Sequence, residues 1–217
     1  MTIYNLLSIL ALMAIVPCGA YLWFLALASI RARKQAAGEG TLNRFAIAIP
    51  AHDEEDVIGH TVVNLKRLDY PADYYDIFVV ADFCQDETAQ SARTEGATCF
   101  ERTTGDRSGK GGALLWLFDQ IFESETSYDA IVIFDADTRV DPNFLNVMNQ
   151  RLNQGAMVIQ GKHIISNPQA GLFPGLTWAM MTIDNRFNNL GRSNLHIAAK
   201  LMGDSICFRT DVIRKYG

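Results

Sequence analysis

The sequence predicts an α/β domain, a mostly parallel sheet with helices on both faces, preceded by one membrane-spanning helix. Three observations carry this reading. Short apolar runs without a polar break, such as Ala130 to Phe134, read as strands buried on both faces. Helical stretches alternate with them, which calls for crossover connections and a parallel sheet. Leu6 to Ile30 is an uncharged run of 25 residues, longer than the roughly 20 that a membrane helix needs.

The elements follow in order. The N-terminal run lacks the basic start and the short apolar core of a cleaved signal, so it reads as a retained helix. Pro17 and Gly19 within it are tolerated in membrane helices. Arg31, Arg33 and Lys34 follow at once, which places the N-terminus outside and the rest in the cytoplasm by the positive-inside rule. The expected division is therefore an anchor with its basic flank over 1–34, a linker over 35–43 (polar and Gly-containing from Ala36 to Gly40), and one domain over 44–217. Phe45 to Ile49 is the first strand. Asp53 to Leu68 is a helix with an acidic first turn and Lys66 and Arg67 in its last. Ile77 to Ala81 is the second strand, Asp86 to Glu95 a helix closed by Gly96, and Thr98 to Phe100 a brief third strand. A polar loop, Thr103 to Gly109, leads to a helix over Gly111 to Phe122 with Leu114, Leu115, Leu117, Phe118, Ile121 and Phe122 on its inner side. Ala130 to Phe134 is the fourth strand. Asp141 and Pro142 are read as the N-cap and first residue of the next helix. Met157 to Gln160 is a fifth strand, Leu176 to Leu190 a helix, and Ser205 to Arg209 a last strand before the start of a further helix.

Composition removes several function classes. A net charge of −5 gives no footprint for nucleic acid. Cys18, Cys84, Cys99 and Cys207 form no C-x-x-C pair, which fits a reducing compartment rather than a disulfide framework. The four histidines show no H-E-x-x-H spacing.

Three strands end in carboxylates: the first runs into His52, Asp53, Glu54 and Glu55, the second into Asp82, and the fourth into Asp135 and Asp137. In a parallel sheet these ends share one rim, where ligands bind. Two aspartates one residue apart suit a hard divalent cation held against a phosphate. Lys110 lies in a glycine-rich turn before a helix and can reach a diphosphate. That turn is no P-loop, because Thr104 replaces the first Gly and Gly111 the metal-binding Ser or Thr. A phosphatase of the haloacid dehalogenase type is disfavoured by Arg139 and by the fourth-strand position, and a dinucleotide fold by the lack of G-x-G-x-x-G after the first strand.

Five segments occur in order: I-P-A-H-D-E-E at 49–55, V-V-A-D-F-C-Q-D-E-T at 79–88, G-K-G-G-A-L at 109–114, F-D-A-D at 134–137 and L-G-R-S-N-L at 190–195. As a set they resemble the inverting family 2 glycosyltransferases of the GT-A (Rossmann-like) fold, of the membrane-bound, processive or cellulose-synthase-like kind. The resemblance runs over about 44–216. It implies a hexosyl- or N-acetylhexosaminyltransferase of polysaccharide-biosynthesis type. Its donor would be a nucleotide-diphospho-sugar, most often UDP-linked, and its acceptor a glycan or lipid. It implies that Pro50, Ala51 and His52 pack on the nucleobase, with imidazole where an aromatic is usual, and that Glu54 lies near the nucleotide. Asp82 would hydrogen-bond the base, Lys110 meet the diphosphate, Asp135 contact the ribose or metal shell, and Asp137 ligate Mg²⁺ or Mn²⁺. Gly203-Asp204-Ser205 matches the segment lining the acceptor site.

An inverting transferase also needs a general base. The family places it in an E-D or T-E-D motif further along, and neither that motif nor Q-x-x-R-W occurs here. The base is therefore expected beyond Gly217, with Asp204 as a substitute candidate, further membrane helices downstream, and no sugar transfer by this chain alone. The alternative is a catalytically inactive nucleotide-sugar-binding module or partner subunit.

Overall fold

The central strand β1 (Phe45–Ala51) alternates large and small side chains, and that alternation decides what packs on each face. The computed structural model describes residues 3–30 and 40–216. Arg31, Arg33, Lys34 and most of the expected linker therefore lie outside the described residues. Phe45, Ile47 and Ile49 point to one face, where they are fully buried with Ile58, Val62 and Leu65 of α2 (Glu55–Leu65) and Leu145, Met148 and Leu152 of α5 (Phe144–Asn153). Ala46 and Ala48 point to the other, against Leu114, Leu117, Phe118 and Ile121 of α4 (Gly109–Glu123). Small residues on that face let α4 lie close to the sheet. Each large side chain buried on the first face contributes about 1.5–3 kcal/mol.

The sheet order is β3-β2-β1-β4-β6-β5. Here β2 is Tyr75–Asp82, β3 Thr98–Arg102, β4 Ala130–Ile133, β5 Val158–Gln160 and β6 Ile206–Arg209. The pairs β1–β2, β1–β4 and β2–β3 are parallel. β6 is antiparallel to both β4 and β5, so it alone runs against the other five strands. The last strand in sequence is thus inserted between the fourth and fifth. Two further helices packed beside this sheet are α3 (Thr88–Thr94) and α8 (Thr210–Tyr216).

Several element boundaries move for local reasons. α2 begins at Glu55 because Asp53 takes a left-handed backbone (φ 53°), and Lys66 and Arg67 fall just past its end. α4 begins two residues early, at Gly109. Leu115 is 51% exposed: it lies well over 100° round α4 from the centre of the buried stripe, outside the inner side expected for it. Asp141 does not cap α5. Its carboxylate accepts from Asn143 N (2.9 Å) and its carbonyl from Phe144 N (2.9 Å), a turn that delays the helix until Asn143 stands at the N-cap.

By contacts the chain forms two compact units, 38–161 with 201–217, and 1–37 with 162–200. The expected single domain over 44–217 thus contributes residues to both. The second unit contains α1 (Ile3–Ser29), whose 27 residues span about 40 Å, more than a hydrocarbon core of about 30 Å. Among the described residues it is the one helix long and apolar enough to cross a membrane. It also contains α6 (Leu172–Ile183), a π turn (Asp184–Asn189) and α7 (Leu190–Asn194). The L-G-R-S-N-L segment meets the end of α1. A Cβ at Gly191 would stand 2.3 Å from the Leu25 carbonyl oxygen, so only glycine permits this approach. Arg192 donates to the Tyr21 hydroxyl (3.0 Å), and Asn194 to the Ala28 carbonyl (3.0 Å).

Candidate active site

Parallel pairing of β1 with β2 and β4 brings three strand ends to one rim of the sheet. A cleft of about 590 Å³ opens there. Pro50, Ala51, His52, Glu54, Asp82, Lys110, Asp135 and Asp137 all line it, so the eight residues singled out in the sequence share one site. Arg107, Gly109 and Ala113 complete the wall on the side of α4.

The turn after β4 is held by a residue far away in sequence. Asp204 is 3% exposed. Its Oδ1 accepts from Asp135 N (3.0 Å) and Thr138 Oγ1 (3.2 Å), and its Oδ2 from Ser205 Oγ (3.2 Å). Asp135 Oδ1 in turn pairs with Lys110 Nζ, which also donates to the Gly203 carbonyl (2.6 Å). Asp137 is exposed at the mouth. Two carboxylates offering oxygen donors from one turn, one of them open to solvent, fit a hard divalent cation such as Mg²⁺ or Mn²⁺.

The Asp82 side of the cleft has its own support. Asp82 Oδ1 pairs with Arg102 Nη1 at 2.8 Å, with both side chains nearly buried (13% and 7% exposed). Arg102 also donates to the Asp106 carbonyl. Two guanidiniums lie over the Phe83 ring, Arg102 at 5.5 Å and Arg107 at 5.0 Å from its centroid. His52 Nδ1 lies 2.6 Å from the Asp82 carbonyl oxygen. A carbonyl can only accept, so Nδ1 carries a proton, and Nε2 is the ring nitrogen that faces away from this bond.

The loops after β1 and β2 are stitched together. Thr88 Oγ1 accepts from Glu54 N (2.8 Å), Asp86 Oδ2 from Glu55 N (3.1 Å), and Glu55 Oε2 from Glu87 N (2.8 Å). Burial acts to raise the Asp86 carboxyl, but the bonds from Thr88 and Glu55 outweigh it and hold its pKa below the usual value.

Sequence reading missed Arg102 and Arg107. The register pairs Asp82 with Arg102 across β2 and β3, so extending the third strand by two residues finds the partner. Arg107 sits in a polar loop with no pattern of its own.

The model of the family "Glycosyltransferase like family 2" matches residues 43–216. Glycosyltransferase AglD of Haloferax volcanii is 31% identical over 129 residues, 57% of this chain and 20% of that protein. Beta-monoglucosyldiacylglycerol synthase of Trichormus variabilis is 29% identical over 154 residues, 67% of this chain and 31% of that protein. The chain thus spans a third or less of the length of these relatives. Among solved structures, mannosyltransferase PcManGT from Pyrobaculum calidifontis, in complex with GDP-Man and Mn²⁺, superposes with a TM-score of 0.74 at 17% identity, over 97% of this chain and 57% of that one. Glucosyl-3-phosphoglycerate synthase from Mycobacterium tuberculosis, with Mn²⁺, UDP and phosphoglyceric acid, gives 0.53 at 18% identity, over 88% of this chain and 60% of that one. At these identities both are likenesses of fold.

Proposed function

The chain belongs to glycosyltransferase-like family 2, with the GT-A fold, and we propose that its cleft is the donor half of a membrane-anchored, inverting sugar transferase. The donor is a nucleotide-diphospho-sugar, UDP-linked in the first instance, and the acceptor a glycan or a lipid. The observation that carries this reading is the meeting of Asp135, Asp137 and Lys110 with Pro50, Ala51, His52, Glu54 and Asp82 in a single cleft. α1 is the anchor, with the cleft on the cytoplasmic side.

Transfer displaces a nucleoside diphosphate from a sugar carbon, and negative charge builds on the β-phosphate. Groups aimed at that charge stabilise the transition state more than the ground state. Asp137, with Asp135, would hold the Mg²⁺ or Mn²⁺, which when bound supplies Lewis-acid stabilisation of the leaving diphosphate. Lys110 stands ready between Asp135 and the Gly203 carbonyl, and a diphosphate offers its ammonium a more highly charged partner. Pro50, Ala51 and His52 bound the base, and Asp82, fixed through Oδ1 by Arg102, hydrogen-bonds it. Asp204 is buried, with both carboxylate oxygens engaged, which supports a positioning role at the Asp135 turn over that of general base.

Calorimetry of UDP binding in Mn²⁺, on wild type and Asp137→Ala, tests the assignment. Affinity should fall in the variant, and equal affinities would refute the metal role. The anchor is tested by alkaline extraction of membranes from expressing cells. The chain should stay with the membrane, and full release would remove α1 as an anchor.

A further inference from the structure

We propose that His52, Asp53 and Cys84 form a second cation site, for a borderline-soft ion of the zinc class, on the lip of the cleft. Their ligand atoms lie within 4.8 Å of one another, and His52 Nε2 stands 3.7 Å from Asp53 Oδ2. Two ligands of one tetrahedral zinc ion are about 3.4 Å apart, given bonds of about 2.0–2.1 Å, so this pair is already close to the spacing required. Imidazole, carboxylate and thiolate together select zinc-class ions, whereas Mg²⁺ and Mn²⁺ favour all-oxygen sets such as Asp135 with Asp137. The two sites therefore differ in chemistry.

The fold sets these side chains together by register. β1 and β2 run parallel and are paired to Ala51 and Ala81, so the loops that follow leave the sheet side by side. Asp53 and Phe83 both turn through left-handed backbone, φ 53° in each case, a conformation uncommon for Asp and exceptional for Phe. Each ligand also has the outer support that metal sites require. His52 Nδ1 donates to the Asp82 carbonyl (2.6 Å), which aims Nε2 at the site. Gln85 N donates to Asp53 Oδ1 (2.7 Å), leaving Oδ2 toward the histidine. Asp53 N donates to Cys84 Sγ (3.4 Å). On binding, the Cys84 S–H proton passes to solvent as the metal–sulfur bond forms. Three protein ligands leave a fourth position for water.

The consequence is control of the cleft. His52 belongs both to this site and to the cleft wall assigned to the base, so an ion that takes Nε2 fixes the ring away from a base and lowers donor affinity. This consequence, unlike the site itself, rests on the donor reading given above.

The site is tested with Co²⁺ as a visible probe on the whole chain in detergent, without nucleotide. Wild type and Cys18→Ser should give a thiolate-to-cobalt band that Zn²⁺ displaces. Cys84→Ser should lose the band and bind Zn²⁺ at least about tenfold more weakly. Zn²⁺ should also raise the melting temperature of wild type, followed by circular dichroism, and leave that of a folded Cys84→Ser unchanged. No band in wild type, or a band kept in Cys84→Ser, overturns the proposal. A second arm measures UDP binding in Mn²⁺, with and without Zn²⁺. Weaker UDP binding in wild type alone supports the coupling. Unchanged UDP affinity with cobalt bound refutes the coupling and leaves the site standing. No UDP binding at all refutes the donor reading instead.

Discussion

Replacing Arg102 by methionine (Arg102→Met) keeps most of the side chain's volume and removes its charge. Asp82 is then a carboxylate only 13% exposed, without the guanidinium 2.8 Å from its Oδ1. Breaking a buried pair in this way costs about 3–5 kcal/mol, because the remaining charge has lost both water and partner. Asp82 lies on the wall of the cleft, where some water reaches it, so the lower end applies and the expected loss is about 3 kcal/mol. The lost bond to the Asp106 carbonyl adds little, because Asp106 is exposed and water replaces the donor. Neutralising the partner removes the penalty, so Arg102→Met with Asp82→Asn should recover about 2 kcal/mol of that loss. Urea unfolding of the whole chain in detergent measures both. Trp116 is a suitable reporter, since its ring packs edge-on to Phe100 of β3 at 6.2 Å, two residues before Arg102. Replacing Trp23 and Trp178 by Phe clears the background. A loss below about 1 kcal/mol in the single variant, or a double variant no more stable than the single, would refute the account of the pair.

Asp204→Ala should destabilise the chain by about 3 kcal/mol, since it strips an acceptor from Asp135 N and two hydroxyls, while Asp204→Asn should cost about 1 kcal/mol or less. In the whole transferase Asp204→Asn should keep most of its rate; a loss of about 10⁴-fold in a well-folded variant would return Asp204 to the role of base. Alkali should destabilise the fold. Burial pushes the phenols of Tyr70 and Tyr128 up to about 12, and the Asp76 carboxylate that accepts from the Tyr128 hydroxyl adds to the second shift. The stability these neutral phenols give is complete below about 10 and is lost as pH rises towards 12, about 1.4 kcal/mol for each at pH 11. Urea midpoints at pH 8 and 11 should therefore differ less in Tyr128→Phe than in wild type, and an equal difference would count against the assignment.

The cleft was legible in the sequence because its residues follow uninterrupted strands, and parallel pairing sends such ends to one rim. Pro50, Asp82 and Asp135 each stand at or just beyond the end of a run whose apolar character already requires burial on both faces. Arg102 was not legible for the opposite reason. Thr98 to Phe100 reads as a brief strand, Glu101 and Arg102 have no apolar signal, and their pairing with β2 exists only in three dimensions. Leu115 shows how periodicity errs at the edge of a stripe, where one residue's rotation separates core from solvent. Strand order is still less accessible. Nothing in the residues of 206–209 says that they will insert, antiparallel, between the fourth and fifth strands, because periodicity reports burial and not neighbours.

That insertion explains how a site read from β1, β2 and β4 depends on a segment more than sixty residues further on. The chain re-enters the sheet unit at Leu201, and within five residues it is fastened at several points. Met202 N donates to the Gln160 side chain (2.8 Å), which donates back to the Asp204 carbonyl (2.8 Å). Gly203 takes Lys110, and Asp204 takes the Asp135 amide. Gly203 and Ser205 need left-handed backbone, φ 82° and 55°, to present these groups in succession. The returning strand thus fixes both the turn bearing the candidate metal ligands and the lysine proposed to meet the diphosphate. If this bracing is what shapes the cleft, then the charge pattern at 135–137 is necessary but not sufficient for donor binding. The same F-D-A-D without a β6 to anchor it would be a mobile, solvated pair of carboxylates at a strand end.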